Sequence, residues 1–305
     1  MSDERDAKTQ TESQAEPQAE SQTEPQTGDA GFYSGPEHQP FSLGEGERGV
    51  LLVHGFPGTP AELRPIGEYL AGRGWRVRAP LLPGFGPDIV RLGEVGYEQW
   101  IGAVKEAWLE LLHHTNESVL LGYSMGAAIA LIVAAEATPE QRPGRLVLIA
   151  PFWRLGDWRA GLLPLVKHFK PQLKPFAQAD FSDPAVREQF TRILPGADLD
   201  DPAVQQRLRD EIVLPTSAID ELRKLGQRAQ RVASQAELPT LVVQGRQDST
   251  VATQDTRTLA AKLGGRLRLV ELEAGHDVIF AGTAGHDALR GALGEVMRET
   301  SSSSA

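Results

Sequence analysis

The residues best placed to do chemistry are a serine between two glycines, Gly122-Tyr123-Ser124-Met125-Gly126. A short apolar run, Ser118–Leu121, precedes the pentapeptide, and an alanine-rich helical stretch follows it. The pattern reads as a turn from strand directly into helix. Such a turn strains the backbone of its central residue. Side chains two positions before and after that residue would collide with neighbouring backbone, and glycine removes the conflict. The Ser124 hydroxyl would then stand at a helix N-terminus, where unpaired N–H groups and the helix dipole favour developing negative charge. The chemistry that fits is attack of the serine on an acyl carbon. It requires a base, an acid that orients the base, and two N–H donors for the oxyanion.

The sequence offers a candidate for each role. The turn itself supplies one donor, the N–H of Met125. The loop His54-Gly55-Phe56-Pro57-Gly58-Thr59-Pro60 supplies the other. Gly55 and Gly58 let its backbone approach the reacting carbon, Pro57 and Pro60 have no N–H, and Phe56 N–H is the choice. His54 lies at a strand end before a glycine loop, and we expect it to hold the loop rather than act as the base. The base should follow a late strand, on the edge of the sheet where ligand sites lie. His276, in Gly275-His276-Asp277, satisfies this, whereas Gly285-His286-Asp287 repeats the same residues at the start of the final helix. Asp248, after the run Thr240–Val243, is the candidate acid. Asp255 and Asp277 are expected to be capping or surface residues. The order along the chain is serine, aspartate, histidine.

Elements that could position these groups alternate along the chain. Apolar runs at Gly49–Val53, Arg76–Ala79, Ser118–Leu121, Arg145–Ile149, Thr240–Val243 and Arg266–Val270 predict strands. Four are continuous, as expected of strands buried on both faces. The second and last alternate arginine with apolar residues and should lie nearer an edge. Helical periodicity covers Ala61–Arg73, Tyr97–His114, Ser124–Glu136, Thr253–Leu263 and Asp287–Arg298. This predicts a doubly wound, mostly parallel α/β sheet. The alternation stops between Pro151 and Leu238, where helical signals occur without strands. Asp183-Pro184 and Asp201-Pro202 read as N-cap and first helical residue, and Ile219, Leu222, Leu225, Ala229 and Val232 form one stripe. We read 151–238 as a helical cap inserted into a core of 32–150 and 239–299.

Composition limits the alternatives. The chain has 305 residues, 0 Cys and a net charge of −10. No thiolate nucleophile, disulfide or cysteine metal site is available. The acidic balance is the reverse of what nucleic-acid phosphates attract. The first 31 residues carry eight acidic against two basic side chains, or −6, and repeat a Gln-Thr/Ala-Glu-Ser/Pro pattern. They cannot bury enough apolar area to order themselves and read as a disordered, solubilising tail, as does the Ser301–Ser304 run. No run approaches the length of a membrane span. The expected protein is soluble and cytoplasmic, needs no cofactor or metal, acts on a small molecule and does not insert stably in membranes. Its protein partners cannot be read from the sequence. Basic and apolar residues between Arg154 and Lys174 could lie on anionic lipid, but a solvated cap face is the simpler reading.

With these residues quoted, the chain resembles the α/β-hydrolase superfamily from about Phe41 to Arg298. The His-Gly-Phe loop, the serine turn, the insertion, Gly-Arg-Gln-Asp and Gly-His occur in the family's order. Within it, His-Gly-Phe-Pro-Gly, Leu-Leu-Pro-Gly-Phe-Gly at 81–86 and Val-Val-Gln-Gly-Arg-Gln-Asp at 242–248 resemble bacterial carboxylesterases and monoacylglycerol lipases with a small helical cap. The resemblance implies an α/β-hydrolase fold and cleavage of carboxylic esters through an acyl-enzyme, without cofactor. It assigns the catalytic triad to Ser124, Asp248 and His276, and the oxyanion donors to Phe56 and Met125. Gly55, Gly58, Gly122 and Gly126 become the structural loop positions. Haloalkane dehalogenases and epoxide hydrolases share the fold but use an aspartate nucleophile, so Ser124 separates the chain from them. A thioesterase, a lysophospholipase or an acyltransferase of the same fold, or a non-catalytic ligand-binding relative, are the alternatives. The polar N-terminal extension is outside the resemblance.

Overall fold

A computed structural model describes residues 31–155, 171–194 and 197–299. The expected tail, apart from Gly31, and most of the basic stretch between Arg154 and Lys174 lie outside these residues, as does the serine run. Gly31 opens a 3-10 turn, Gly31–Tyr33, and a second turn follows at Pro36–His38.

The continuous apolar runs form the centre of a seven-stranded sheet. Its strands are β1 (Phe41–Leu43), β2 (Arg48–Val53), β3 (Trp75–Ala79), β4 (Glu117–Tyr123), β5 (Arg145–Ile149), β8 (Thr240–Gly245) and β9 (Leu267–Leu272). They lie in the order β1-β3-β2-β4-β5-β8-β9. All neighbours are parallel except β1, which pairs antiparallel with β3 and closes one edge. β9 is the other edge, so both Arg-alternating strands lie at or next to an edge, as expected. Arginine suits these positions, where one face or side keeps access to water.

Burial on both faces explains the composition of β4. Leu120 joins the apolar core on one side of the sheet, and Val119 and Leu121 join the core on the other. The first core is covered by α2 (Tyr97–Leu112) and α3 (Met125–Ala135), and the second by α1 (Arg64–Ala71) and the final helix, α8 (His286–Glu299). Every residue of α3 is buried. The reason is its position: it packs against β4 and β5 on one side and against α2 and a long helix of the insertion on the other. A helix enclosed all round is apolar all round.

The segment between β5 and β8 carries α4 (Pro184–Ile193), α5 (Pro202–Glu211) and α6 (Thr216–Val232), and α7 (Thr253–Ala260) follows β8. Asp201 caps α5 by accepting from Ala203 N–H at 2.8 Å. Leu222, Leu225 and Ala229 turn inward on α6. Two short strands that the sequence did not signal, β6 (Gln172–Leu173) and β7 (Leu214–Pro215), pair antiparallel here. Two-residue ladders are too short to leave a periodicity. Phe181, Phe190, Leu194, Leu199, Leu208 and Ile212 form a third apolar cluster, which Tyr33 joins from the N-terminal turn.

Ile129 is fully buried in α3 against the sheet. Ile129→Ala should lower unfolding free energy by about 3 kcal/mol, the usual cost of a cavity of that size, measured by urea denaturation.

Candidate active site

Parallel β2, β4, β8 and β9 all end at the same edge of the sheet; Phe56, Ser124, Asp248 and His276 lie beyond these ends, Met125 and Gly126 open α3, and Gly122 stands near the end of β4. Ser124 is the single residue between β4 and α3. Its φ is 52° and its ψ −116°, a conformation L-residues avoid. A Cβ at Gly122 would run into the carbonyl of Gly126, and one at Gly126 into the carbonyls of Val53 and His54. The bend is held from outside by Ser124 N–H donating to Ile149 O at 2.9 Å and Phe152 N–H donating to Ser124 O at 3.0 Å.

Asp248 and His276 are brought together. His276 Nδ1 lies 2.8 Å from Asp248 Oδ2. The acid's other oxygen accepts from Thr250 N–H at 2.8 Å and Val251 N–H at 2.7 Å. Burial alone would raise the Asp248 pKa. The hydrogen bond and charge of His276 and the two backbone donors outweigh burial and hold it below the usual value. An ionised carboxylate can only accept, so Nδ1 of His276 carries the proton and Nε2 is left with a free lone pair. The imidazole keeps 21% exposure while Asp248 has none. Its ring packs at 5.1 Å from that of Tyr123, the residue before the serine, and Tyr123 OH donates to His276 O at 3.0 Å. Among the described residues no direct hydrogen bond joins Ser124 Oγ to the imidazole.

His286 stands apart. It is buried in the first turn of α8, and its Nδ1 has no partner among the described residues. His54 ties the loop after β2 to the segment after β3 through both ring nitrogens. Nε2 accepts from Leu82 N–H at 3.1 Å, so Nδ1 is the donor to Gly55 O at 2.9 Å. Complete burial pushes its pKa down to about 4, against a smaller opposing effect of the Gly55 bond, so it is neutral. The N–H groups of Phe56 and Met125 donate to no acceptor among the described residues, whereas those of Gly55 and Ser124 are taken. Asp255, expected to be a capping or surface residue, lies in the first turn of the helix Thr253–Ala260 but is buried there and paired with Arg154 at 2.6 Å.

Three contributors were not anticipated. Gln244 is fully buried, and its Nε2 donates to Asp248 Oδ2 at 3.1 Å while its Oε1 accepts from Thr256 at 2.6 Å. It gives the acid a further donor. Its signal was present: a polar residue ending an otherwise apolar strand. Tyr123 supports the imidazole as described. Glu62 carries its carboxyl under the His54–Pro60 loop, where its Oε1 accepts from Gly55 N–H. Beside the loop lies a cavity of about 330 Å³, lined by Phe32, Tyr33, Pro57, Ile89 and Leu214 among others. Among the described residues no group of three or more His, Asp or Glu side chains could hold a metal ion, and no helix is long and apolar enough to cross a membrane.

The family model for the alpha/beta hydrolase fold matches residues 49–283. The chain belongs to this family. The monoacylglycerol lipase of Bacillus sp. (strain H-257), a thermostable protein, is 35% identical over 96 residues, which cover 32% of this chain and 38% of the lipase. A carboxylesterase of Bacillus subtilis (strain 168) is 35% identical over 94 residues, covering 30% of this chain and 38% of the esterase. The chain thus matches well under half the length of each of these relatives. A solved structure from work on the metagenome-derived lipolytic enzymes LipS and LipT superposes with a TM-score of 0.70 at 20% identity, over 87% of this chain and 99% of that one. The α/β-hydrolase fold expected from the sequence is the fold of this chain.

Gln244→Leu removes a donor from Asp248 and leaves the Thr256 hydroxyl buried without its acceptor. Stability should fall by about 1–3 kcal/mol, and the imidazole NMR signals of His276 should broaden or shift while those of exposed histidines stay in place.

Proposed function

We propose that the protein is a serine hydrolase that cleaves carboxylic esters, either short- to medium-chain acyl esters or monoacylglycerols, and that it does so in the cytoplasm without a cofactor. The observation that carries this reading is the 2.8 Å contact of His276 with a buried, donor-saturated Asp248, beside the residue that precedes a strained serine. In the proposed reaction the Ser124 hydroxyl attacks the ester carbonyl as His276 Nε2 takes its proton. The carbonyl π electrons move onto oxygen, and Phe56 and Met125 N–H stabilise the oxyanion. Collapse of the intermediate breaks the bond to the alkoxy group, which leaves with the proton from His276. Water then repeats the sequence on the acyl-enzyme and releases the acid. Asp248 stays ionised throughout and stabilises the imidazolium.

The resting gap between Ser124 Oγ and the imidazole is compatible with this scheme, since such bonds often form only with substrate bound. The partly apolar cavity beside Pro57 suits a hydrocarbon acyl group. The lipase and esterase relatives support an ester substrate, and the two unspent N–H groups support the oxyanion roles.

Ser124→Ala should reduce kcat on nitrophenyl or glycerol esters by on the order of 10⁵ to 10⁶. Retention of a tenth of the activity would overturn the assignment. His276→Ala should be similarly impaired and His286→Ala should not.

A further inference from the structure

We propose that Glu62 is a positioning residue of the oxyanion loop that works in its protonated form, and that its ionisation switches the site off. This inference rests on the serine-hydrolase reading. The side chain rises from the 3-10 turn Pro60–Leu63 that directly follows the loop and folds back beneath it. Its Oε1 accepts from Gly55 N–H, the residue before the proposed donor Phe56. The carboxyl fills the space that a side chain at Gly58 would occupy. At Gly55 the same crowding shows where the acid lies. The position of a Cβ there is 3.2 Å from Glu62 Oε1, 3.2 Å from the Tyr123 ring and 3.3 Å from Ser124 Cβ. Only the width of one glycine separates the carboxyl from the nucleophile. Both loop glycines are therefore explained by the acid they wrap around.

That location is favourable for a neutral carboxyl and unfavourable for a charged one. A neutral carboxyl still accepts from Gly55 N–H and fixes the loop. A carboxylate would place a full negative charge beside the forming oxyanion, in a site whose other groups serve to stabilise that charge. Among the described residues no cation forms an ion pair with Glu62; Arg64, two residues on, lies over the ring of Phe41 instead. Burial pushes the Glu62 pKa up to about 8, and the Gly55 bond opposes this only in part.

The titratable groups facing Glu62 do not change charge in the same range. Tyr33, from the N-terminal turn, is pushed up to about 12 by burial and then by Glu62 itself. Tyr123, from the end of β4, is raised well above its ordinary value by burial, then by Glu62, Asp248 and Asp277. His54, at the start of the loop, is held at about 4. His38, bonded through Nδ1 to Thr59 at 2.9 Å, is lowered by burial, against weaker effects of Glu37 and the Phe32 backbone. Asp248 is held ionised by its donors.

The test is the pH profile of kcat/KM for the full chain on a soluble nitrophenyl ester, compared between wild type and Glu62→Gln, with Ser124→Ala as control. Glutamine keeps an acceptor for Gly55 N–H and cannot ionise. Wild type should lose about tenfold between pH 7 and pH 9, as expected for one ionisation near pH 8. Glu62→Gln should keep its pH 9 to pH 7 ratio within about twofold of one, whatever its absolute rate. A wild-type profile without the alkaline fall, or the same fall in Glu62→Gln, overturns the proposal. An active Ser124→Ala would instead defeat the hydrolase reading. A titration of carboxyl-labelled glutamate by NMR, with the Glu62 signal assigned by its absence from Glu62→Gln, needs no turnover and no folded alanine variant. A midpoint near pH 8 supports the proposal, and a Glu62 carboxyl already ionised at pH 6 overturns it.

Discussion

The structure depends on two missing side chains. The backbone at Ser124 can hold its positive φ only because Gly122 and Gly126 leave room for the carbonyls that cross there. The strain is not relieved locally. It is held by the bonds from Ser124 and Phe152 N–H and by the burial of the elements on either side. β4 is apolar on both faces and α3 on every face, so neither can shift to relax the turn without opening a core. The two strongest apolar segments of the chain thus flank its most strained residue.

Around that residue the same ionisable chemistry is tuned in opposite directions by its donors. Asp248 and Glu62 are both carboxyls close to the site. Asp248 accepts from His276, Gln244 and two backbone N–H groups, and this is enough to keep it charged despite burial. Glu62 has one donor among the described residues, Gly55 N–H, and burial prevails. The histidines divide in the same way. His54 is sealed and uses both nitrogens on backbone, whereas His276 uses one nitrogen on the acid and keeps part of its ring open to solvent. Donor number and access, more than residue type, separate the groups that stay neutral from those that can carry charge.

The parallel core was legible because each central strand is a continuous apolar run bounded by turns. Asp201 and its proline also marked their helix start as cap chemistry predicts. The edge strand Phe41–Leu43 was not legible, since three residues carry no period and its partner is distant in sequence. The serine turn could be read because sterics restrict the residues on both sides of it. Tyr123 and Glu62 could not, because their roles arise from three-dimensional neighbours; Gln244 left a signal, a polar residue after an apolar run, but its partners Asp248 and Thr256 are brought to it by the fold. Glu62 looked like one more acid in the first turn of a helix, and only the crowding at Gly55 and Gly58 shows where its carboxyl points. The burial of Asp255 escaped for a similar reason: its position in a first helical turn was legible, but its partner, Arg154, is 101 residues away.

The described residues between β5 and β8 have an apolar cluster apart from the two at the sheet, built from Phe181, Phe190 and their neighbours. They share that cluster with Tyr33, and the same N-terminal segment reaches the oxyanion loop through the His38–Thr59 bond. The cavity beside Pro57 lies between these parts, with walls from the N-terminal turn, the loop and the insertion. The residues proposed to break and make bonds are held by the sheet, and those that shape the cavity are held mainly elsewhere. Substitutions between β5 and β8 can therefore reshape this cavity while leaving the Asp248–His276 pair intact. The loop His54–Pro60 is the exception, because Pro57 lines the cavity while Phe56 carries one of the proposed oxyanion donors. In the proposed reaction a change in loop position would alter substrate fit and oxyanion stabilisation together, and that coupling gives a physical reason for the half-buried Glu62 to fix the loop from below.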